Sequence, residues 1–235
     1  MGDVVLFAVF PYLAVVLAVG GGVYRYRRHR FSYSTLSSQI LENRFLFWGS
    51  VPWHYGIVIV LLAHLTGFVM PGVWAAITGA PAALYTIEIV GYAFAFAALF
   101  GLCVLFVRRL SKERIRAVTS PMDWVVLAAL LVQVALGTYV SLVYRWGADW
   151  YVDTAVPWLV SLLSLNPQTQ YVASLPWVVR LHMITGFLVI ALFAYSRLVH
   201  LIMFPFWYLW RPYQVVIRNR ATETRLRSRA GGPPF

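Results

Sequence analysis

The sequence predicts an all-α membrane protein: a bundle of five transmembrane helices with its N-terminus outside and its C-terminus in the cytoplasm. Three observations predict this class. The 235-residue chain is 61% hydrophobic and only 11% charged, which is too apolar for a water-soluble domain of this size. Its apolar residues fall in runs long enough to cross a bilayer. Its basic residues alternate from one side of these runs to the other.

Five apolar runs define the predicted spans, and they cover residues 4–24, 51–71, 84–107, 122–144 and 176–203. Helices are the expected element because backbone that crosses lipid must satisfy its hydrogen bonds internally. Pro52 is expected to open the second span and Pro71 to close it. Pro121 and Pro176 precede the fourth and fifth spans. Basic residues follow the first run instead of preceding it, so it is expected to be a retained helix and not a secretory signal.

The net charge of +11 is distributed as in a membrane protein and does not indicate a nucleic-acid-binding protein. Sixteen of the nineteen Lys and Arg residues lie in three segments, residues 25–50, 108–121 and 204–235. The segments at 72–83 and 145–175 hold only Arg145 between them. This alternation follows the positive-inside rule and places the three basic segments in the cytoplasm, next to lipid headgroups.

The chain is expected to form one domain with a short tail. Residues 1–220 would hold the five-helix bundle, and residues 221–235 would form a basic, disordered cytoplasmic tail because they are polar and rich in Gly and Pro near their end. The outer connection contains an apolar stretch, residues 156–165, that is too short to cross a bilayer, so a helix at the outer interface is expected there. The single cysteine, Cys103, excludes an intrachain disulfide and a covalent c-type haem motif.

Histidine is the most informative residue type in this chain. His29 lies in the basic stretch RYRRHR, but His54 and His64 fall in the second predicted span, and His182 and His200 in the fifth. Ionisable groups at membrane depth are costly and usually face the bundle interior with a partner. A single such histidine is commonly a hydrogen-bonded helix-interface residue. Four that share two helices favour a common ligand.

Haem iron is the ligand that this pattern favours. Neutral imidazole is a strong iron ligand, and a b-type haem held by one histidine from each of two facing helices needs no covalent attachment. The second and fifth spans run antiparallel in the predicted topology, which pairs His54 with His200 and His64 with His182. The alternative, a transporter or proton relay, is disfavoured by the few Asp and Glu residues in the spans and the absence of inverted repeats.

The spacing of these histidines leaves a mismatch between the two helices. On a straight helix, His182 and His200 are about 27 Å apart and point in nearly the same direction, so they should line one face. His54 and His64 are only about 15 Å apart and differ by about 80° in azimuth. The heights of the two pairs therefore disagree by about 12 Å, which tilt, curvature and side-chain reach must absorb.

Small and basic residues near the histidines are candidate contacts of the cofactor. Gly56, Gly67 and Gly186 could leave room for a flat macrocycle, or they could let helices pack closely. The two arginines within the spans, Arg180 and Arg197, closely precede the two histidines of the fifth span. They could neutralise haem propionates, or their side chains could reach the lipid headgroups.

Several stretches resemble the gamma subunit of respiratory nitrate reductase, a membrane di-haem cytochrome b. They are HYGIVIVLLAHLTG, RRLSKERIRAVTSPMDW, RLHMITG, SRLVHL, YLWRPYQVV and YRYRRHRFSYSTLSSQ. The resemblance implies an anchor in a prokaryotic inner membrane that oxidises quinol near the outer face and passes electrons through a distal and then a proximal haem. An iron–sulfur subunit on the cytoplasmic side would receive them and feed a molybdenum-containing catalytic subunit, where nitrate is reduced.

The resemblance also implies roles for individual residues. His54 and His200 would hold the proximal haem b, and His64 and His182 the distal one. Basic positions on the proximal side correspond to Arg116 and Arg197, and the SSQ stretch that contains Ser38 also matches.

Quinol is expected at the outer ends of the second, third and fifth spans, around Gly67, Glu88 and Arg180. Glu88 could accept a proton there, or it could be an ordinary solvated carboxylate. Nothing in the chain contacts the final substrate. A related di-haem anchor of another cytoplasmic oxidoreductase, such as a nitrite-oxidising complex, therefore stays an alternative.

Overall fold

The computed structural model describes residues 1–28 and 44–201, and over these ranges the regular structure is entirely helical. The helices are α1 (Gly2–Arg28), α2 (Arg44–Val69), α3 (Pro71–Thr78), α4 (Pro81–Ser111), α5 (Glu113–Ala117), α6 (Pro121–Val143), α7 (Gly147–Asp153), α8 (Ala155–Leu163), α9 (Gln170–Ala173) and α10 (Trp177–Phe193). A π-helical stretch, Val5–Val9, lies within α1, and a 3-10 helix, Arg197–Leu201, follows α10. All described residues belong to one compact unit, Met1–Ile202.

Four of these helices, α1, α2, α4 and α6, are long and apolar enough to cross a membrane. The fifth apolar helix, α10, has 17 residues. Many large apolar side chains are exposed on the surface of the bundle, which is far more apolar surface than a soluble monomer presents. The prediction of an all-helical membrane fold is therefore confirmed, and four of its helices reach the predicted span length.

The prediction that the fifth span continues to residue 203 is wrong, because α10 ends at Phe193. The Arg25 guanidinium of α1 donates to the carbonyl oxygens of Ala194 and Ser196, at 2.8 and 2.9 Å. The Ser196 hydroxyl oxygen accepts the amide of Leu198 at 3.2 Å. These bonds satisfy backbone groups that a continuing helix would pair internally, so they stabilise the break.

The break separates the two histidines of the fifth predicted span. His182 lies in α10, whereas His200 lies in the 3-10 helix. The prediction that both line one face of a continuous helix is therefore wrong. The estimated height mismatch of about 12 Å assumed a single straight axis, and it does not apply to two segments joined by a turn.

The prolines mark helix starts more often than ends. Pro52 lies inside α2, which begins at Arg44, so the prediction that it opens the span is wrong. Pro71 follows the end of α2 as predicted and is the first residue of α3. Pro121 opens α6, and Pro176 is the N-terminal capping residue of α10.

The connection between α6 and α10 folds back over the end of the bundle as three short helices, α7 to α9. The predicted helix in residues 156–165 is found as α8. The buried indole of Trp158 in α8 donates to the Phe7 carbonyl oxygen at 2.9 Å. Its ring also packs against Phe7 and Phe187, with ring centroids 5.8 and 5.7 Å away. The connection is thus fixed to the first turns of α1 and the middle of α10.

The long helices pack in the order α2, α4, α6, α10 and α1. Over the described ranges α2 and α10 have no more than slight contact with each other. We call the end of the bundle that carries α5 and the 3-10 helix the basic end, and the end that carries α3 and α7 to α9 the connection end. Helix α2 carries His54 and His64, α10 carries His182, and the 3-10 helix carries His200.

Glycine residues bring α2 and α4 close together. A Cβ atom at Gly56 would lie 2.5 Å from the Phe94 carbonyl oxygen, and one at Gly101 would lie 2.5 Å from the Gly49 carbonyl oxygen and the Trp53 amide nitrogen. Small residues allow this close approach of two backbones. Of the two roles considered for Gly56, the structure supports helix packing.

We expect Gly101→Val to destabilise the bundle by about 1–3 kcal/mol or more, because a branched side chain there must push α2 away from α4. Thermal unfolding of the purified protein in detergent measures the change. Gly20→Val in α1 is the matched control, since a Cβ atom at Gly20 meets nothing within 4 Å. Equal unfolding temperatures for the two variants would contradict the packing described here.

Candidate functional site

The four span histidines share one feature: a backbone carbonyl oxygen holds the same ring nitrogen in each. Nδ1 lies 2.7 Å from Ser50 O in His54, 2.8 Å from Val60 O in His64, 3.2 Å from Gln133 O in His182 and 2.7 Å from Arg197 O in His200. A carbonyl oxygen only accepts hydrogen bonds, so this arrangement selects the tautomer that is protonated at Nδ1. The lone pair of Nε2 is then available to a metal.

The structure brings His54 and His200 together at the basic end. Their ring centroids are 6.2 Å apart. Two imidazoles that bind one metal from opposite sides, with bonds of about 2.0–2.1 Å, have ring centroids about 6 Å apart. The Ser50 hydroxyl oxygen lies 3.1 Å from His54 Nδ1 and further restricts that ring. The separation of the two rings would therefore let both imidazoles hold one metal ion between them.

His64 and His182, the second predicted pair, lie towards the connection end, on α2 and α10. Tyr151 of α7 covers His64: its hydroxyl donates to the His64 carbonyl oxygen at 3.2 Å, and the ring centroids are 5.5 Å apart. Burial raises the pKa of Tyr151 to about 12, so its hydroxyl stays protonated at neutral pH and remains a donor. A Cβ atom at Gly67 would lie 3.0 Å from the Tyr151 ring.

Helix α6 positions His182 through two residues that the sequence analysis missed. The Gln133 carbonyl oxygen holds His182 Nδ1, and the Gln133 side-chain oxygen accepts the Thr185 hydroxyl. A Cβ atom at Gly137 would lie 2.8 Å from His182 Cε1, so the imidazole fits only because Gly137 has no side chain. A Cβ atom at Gly186 would lie 3.3 Å from the Gln133 side-chain nitrogen. The sequence did offer a signal for Gln133, because a lone side-chain amide in an apolar span indicates a polar contact inside the bundle.

Two imidazoles are the set of protein ligands that a b-type haem can take. Over the described ranges no three His, Cys, Asp or Glu side chains are grouped so that they could hold a metal ion. Each predicted pair offers two imidazole ligands. His54, His64 and His200 are exposed.

Arg180 lies two residues before His182 and against α1. Its guanidinium forms an ion pair with Asp3 and lies over the Phe7 ring, 5.0 Å from the ring centroid. Its Nε is buried and has no hydrogen-bond partner. This donor could therefore bind an acceptor that a cofactor brings, such as a carboxylate.

The other candidate residues at the basic end are arranged differently. Arg197 is held by Asp123, with its Nε 3.0 Å from the carboxylate, and donates to the Val118 carbonyl oxygen at 3.4 Å. Arg116 is exposed on α5. Ser38 and His29 lie outside the described residues.

The three residues predicted to form the quinol site do not all contact the same helix. Glu88 is buried, and its two oxygens accept the Tyr92 hydroxyl at 2.9 Å and the Ala148 amide of α7 at 3.0 Å. Its carboxylate is thus not simply solvated. Gly67 also adjoins α7, through Tyr151, whereas Arg180 contacts α1.

Fold and site together define a helical membrane protein whose histidines lie on α2, α10 and the 3-10 helix, with His54 and His200 close together. The chain belongs to the nitrate reductase gamma subunit family, whose family model matches residues 3–219. The predicted resemblance is thereby confirmed.

Individual relatives agree with this assignment. The nitrate reductase gamma chain of Bacillus subtilis (strain 168) is 32% identical over 226 residues, which cover 94% of this chain and all of that one. The respiratory nitrate reductase 2 gamma chain of Escherichia coli (strain K12) is 28% identical, over 93% of this chain and 98% of that one. The nitrate reductase-like protein NarX of Mycobacterium tuberculosis (strain H37Rv) is 29% identical over 99% of this chain, which spans 36% of that longer protein.

Proposed function

We propose that this chain is the membrane anchor and electron-transfer subunit of a nitrate reductase complex. It oxidises quinol and passes the electrons through two b-type haems to an iron–sulfur subunit on the cytoplasmic side, which feeds a molybdenum-containing catalytic subunit. Family membership supports the place in the complex. The proposal depends most on one observation, the 6.2 Å between the ring centroids of His54 and His200, whose Nδ1 atoms are both held by carbonyl oxygens.

In this proposal His54 and His200 hold the proximal haem, and His64 and His182 the distal one. When bound, each haem supplies one-electron transfer. The protein orients the four imidazoles through their Nδ1 bonds to backbone carbonyls, which fix the ring planes and raise the basicity of Nε2. The unpartnered Nε of Arg180 is a donor for a propionate of the distal haem.

The proposed direction of electron flow follows from the topology. From the positive-inside rule we infer that the basic end lies in the cytoplasm. With 17 residues, α10 is about 26 Å long, which is near the lower limit for a spanning helix and supports a fifth crossing. Electrons therefore enter at the pair His64 and His182, and leave from the pair His54 and His200. Because quinol releases its protons outside while the electrons move inward, turnover adds to the membrane potential.

Quinol is proposed to react at the connection end, beside α7. Glu88 and Gly67 both adjoin α7, and the Tyr151 hydroxyl of α7 bonds to the backbone at His64. A quinol held there would be close to the distal haem. The Glu88 carboxylate is the candidate proton acceptor, which would require it to exchange one of its present hydrogen bonds for the quinol hydroxyl.

Vesicles that contain the whole complex test this proposal. A quinol analogue with nitrate should acidify the side opposite to the catalytic subunit, and an inhibitor of quinol oxidation should perturb the spectrum of the distal haem while leaving the proximal haem nearly unchanged. The distal haem is identified by its loss in a His64→Ala variant. Acidification on the catalytic side, or a perturbation confined to the proximal haem, would contradict the proposed site.

A further inference from the structure

Asp123 joins three elements at the basic end. It lies near the start of α6 and is 8% exposed. One carboxylate oxygen accepts the Ser120 amide at 3.0 Å, within the capping box of α6, and lies 3.7 Å from Arg109 Nη1 of α4. The other lies 3.0 Å from Nε of Arg197, in the 3-10 helix. A single buried carboxylate thus connects α4, α6 and the 3-10 helix.

The 3-10 helix depends on such a connection for its position. It has five residues, and α10 ends before it, at Phe193. So short a 3-10 helix has weak hydrogen-bond geometry and is not stable by itself. Tertiary contacts must therefore hold it. Arg197 supplies two of them through its side chain, to Asp123 and to the Val118 carbonyl oxygen.

Arg197 connects this anchor to a proposed iron ligand. Its guanidinium is held by Asp123, and its carbonyl oxygen holds Nδ1 of His200 at 2.7 Å. The side chain and the backbone of the same residue therefore link the carboxylate on α6 to the imidazole. A rotation of the 3-10 helix about its axis would move this carbonyl oxygen and the His200 ring together.

We infer that Asp123 is a positioning residue for His200, which sets how its imidazole is presented to the proximal haem by holding Arg197. The inference rests on the proposed function, because it concerns a ligand of a haem. It also assigns Arg197 a role in anchoring the 3-10 helix, in addition to any contact with a propionate. Partners that orient metal ligands in this way affect metal affinity and redox potential.

Asp123→Asn is the first test variant. The amide retains an oxygen that can accept the Ser120 amide, so the capping box is largely kept, but the negative charge that holds Arg197 is lost. In the intact complex we expect a shift of the low-spin EPR signal and of the midpoint potential of the proximal haem alone. Arg197→Lys should produce a similar shift, because lysine lacks the Nε donor.

Two controls isolate the effect. Arg109→Lys keeps a positive charge beside Asp123 but alters the cation that α4 contributes, which also donates to the Thr119 hydroxyl. Asp3→Asn removes a carboxylate at the connection end that pairs with Arg180. In both variants the low-spin EPR signal of the proximal haem should be the same as in the unaltered complex.

The outcomes are distinct. A proximal-haem signal and potential that stay unchanged in Asp123→Asn and in Arg197→Lys would overturn the inference while leaving the proposed function intact. Equal shifts of both haems would overturn it as well, because they would indicate a general loosening of the bundle. If Asp123→Asn does not assemble, Arg197→Lys alone decides. An unaltered complex without haem would instead contradict the proposed function itself.

Discussion

Replacing His200 with alanine is expected to remove one of two b haems and leave the other in place. The imidazole of His200 lies opposite that of His54 at the spacing of two axial ligands, and alanine offers no ligand to the iron. Since even changes to the partners of metal ligands cost about 10–100-fold in affinity or activity, loss of the ligand should lower quinol-driven nitrate reduction by at least about 100-fold. Reduced-minus-oxidised optical spectra of membranes, with a haem count, measure the loss.

The same measurement on all four histidines tests the pairing. His54→Ala should lose the same spectral species as His200→Ala, and His64→Ala the same species as His182→Ala. His29→Ala is the control: His29 lies in a basic segment of the sequence, and both haems should remain. If His54 and His182 variants lost the same species, the assignment of one pair to each end of the bundle would fail.

The second large effect is expected from Gly137→Ala, although residue 137 is not a ligand. The new methyl group would lie 2.8 Å from Cε1 of His182, so the imidazole must move away from α6 and lose its Nδ1 bond to the Gln133 carbonyl oxygen. Loss of such an orienting partner costs about 10–100-fold in affinity. Titration of the haem-depleted protein with haem should show this loss at the distal site only.

Gly20→Ala is the matched control for Gly137→Ala, because a Cβ atom at Gly20 meets nothing within 4 Å. It should bind both haems as the unaltered protein does. Unaltered distal binding in Gly137→Ala, with the spectrum of the unaltered protein, would mean that α6 does not position His182.

Hydropathy was sufficient to predict the helical membrane fold, because long apolar runs such as those of α4 and α6 leave the backbone no other way to satisfy its hydrogen bonds in lipid. The antiparallel topology was sufficient to predict that His54 and His200 approach each other. Both inferences depend on local composition and on chain direction, which a single sequence contains.

The break after α10 depends on distant contacts and could not be predicted in the same way. Residues 194–196 lie within the predicted span, and the break there is stabilised by the guanidinium of Arg25, on another helix, which donates to the carbonyl oxygens of Ala194 and Ser196. The role of Gly137 likewise requires knowledge that α6 and α10 are neighbours. Arg25 was instead interpreted only as part of a basic segment, an interpretation that its charge alone supports.

Glu88 shows a third kind of limit. From the sequence, its carboxylate was either a proton acceptor or a solvated group. In the structure it is buried and accepts an amide of α7, which the chain reaches only sixty residues later. A role in holding α7 was not considered because short helices in a connection give no strong periodic signal.

The number of haems bound by each chain tests the central claim most directly. Purified protein, treated with alkaline pyridine and extracted with acidified acetone, should yield two protohaems per chain, all of them extractable because no thioether attachment site exists. One protohaem or none per chain, or haem that stays with the protein after extraction, would contradict the account of two histidine pairs that each hold a non-covalent b haem.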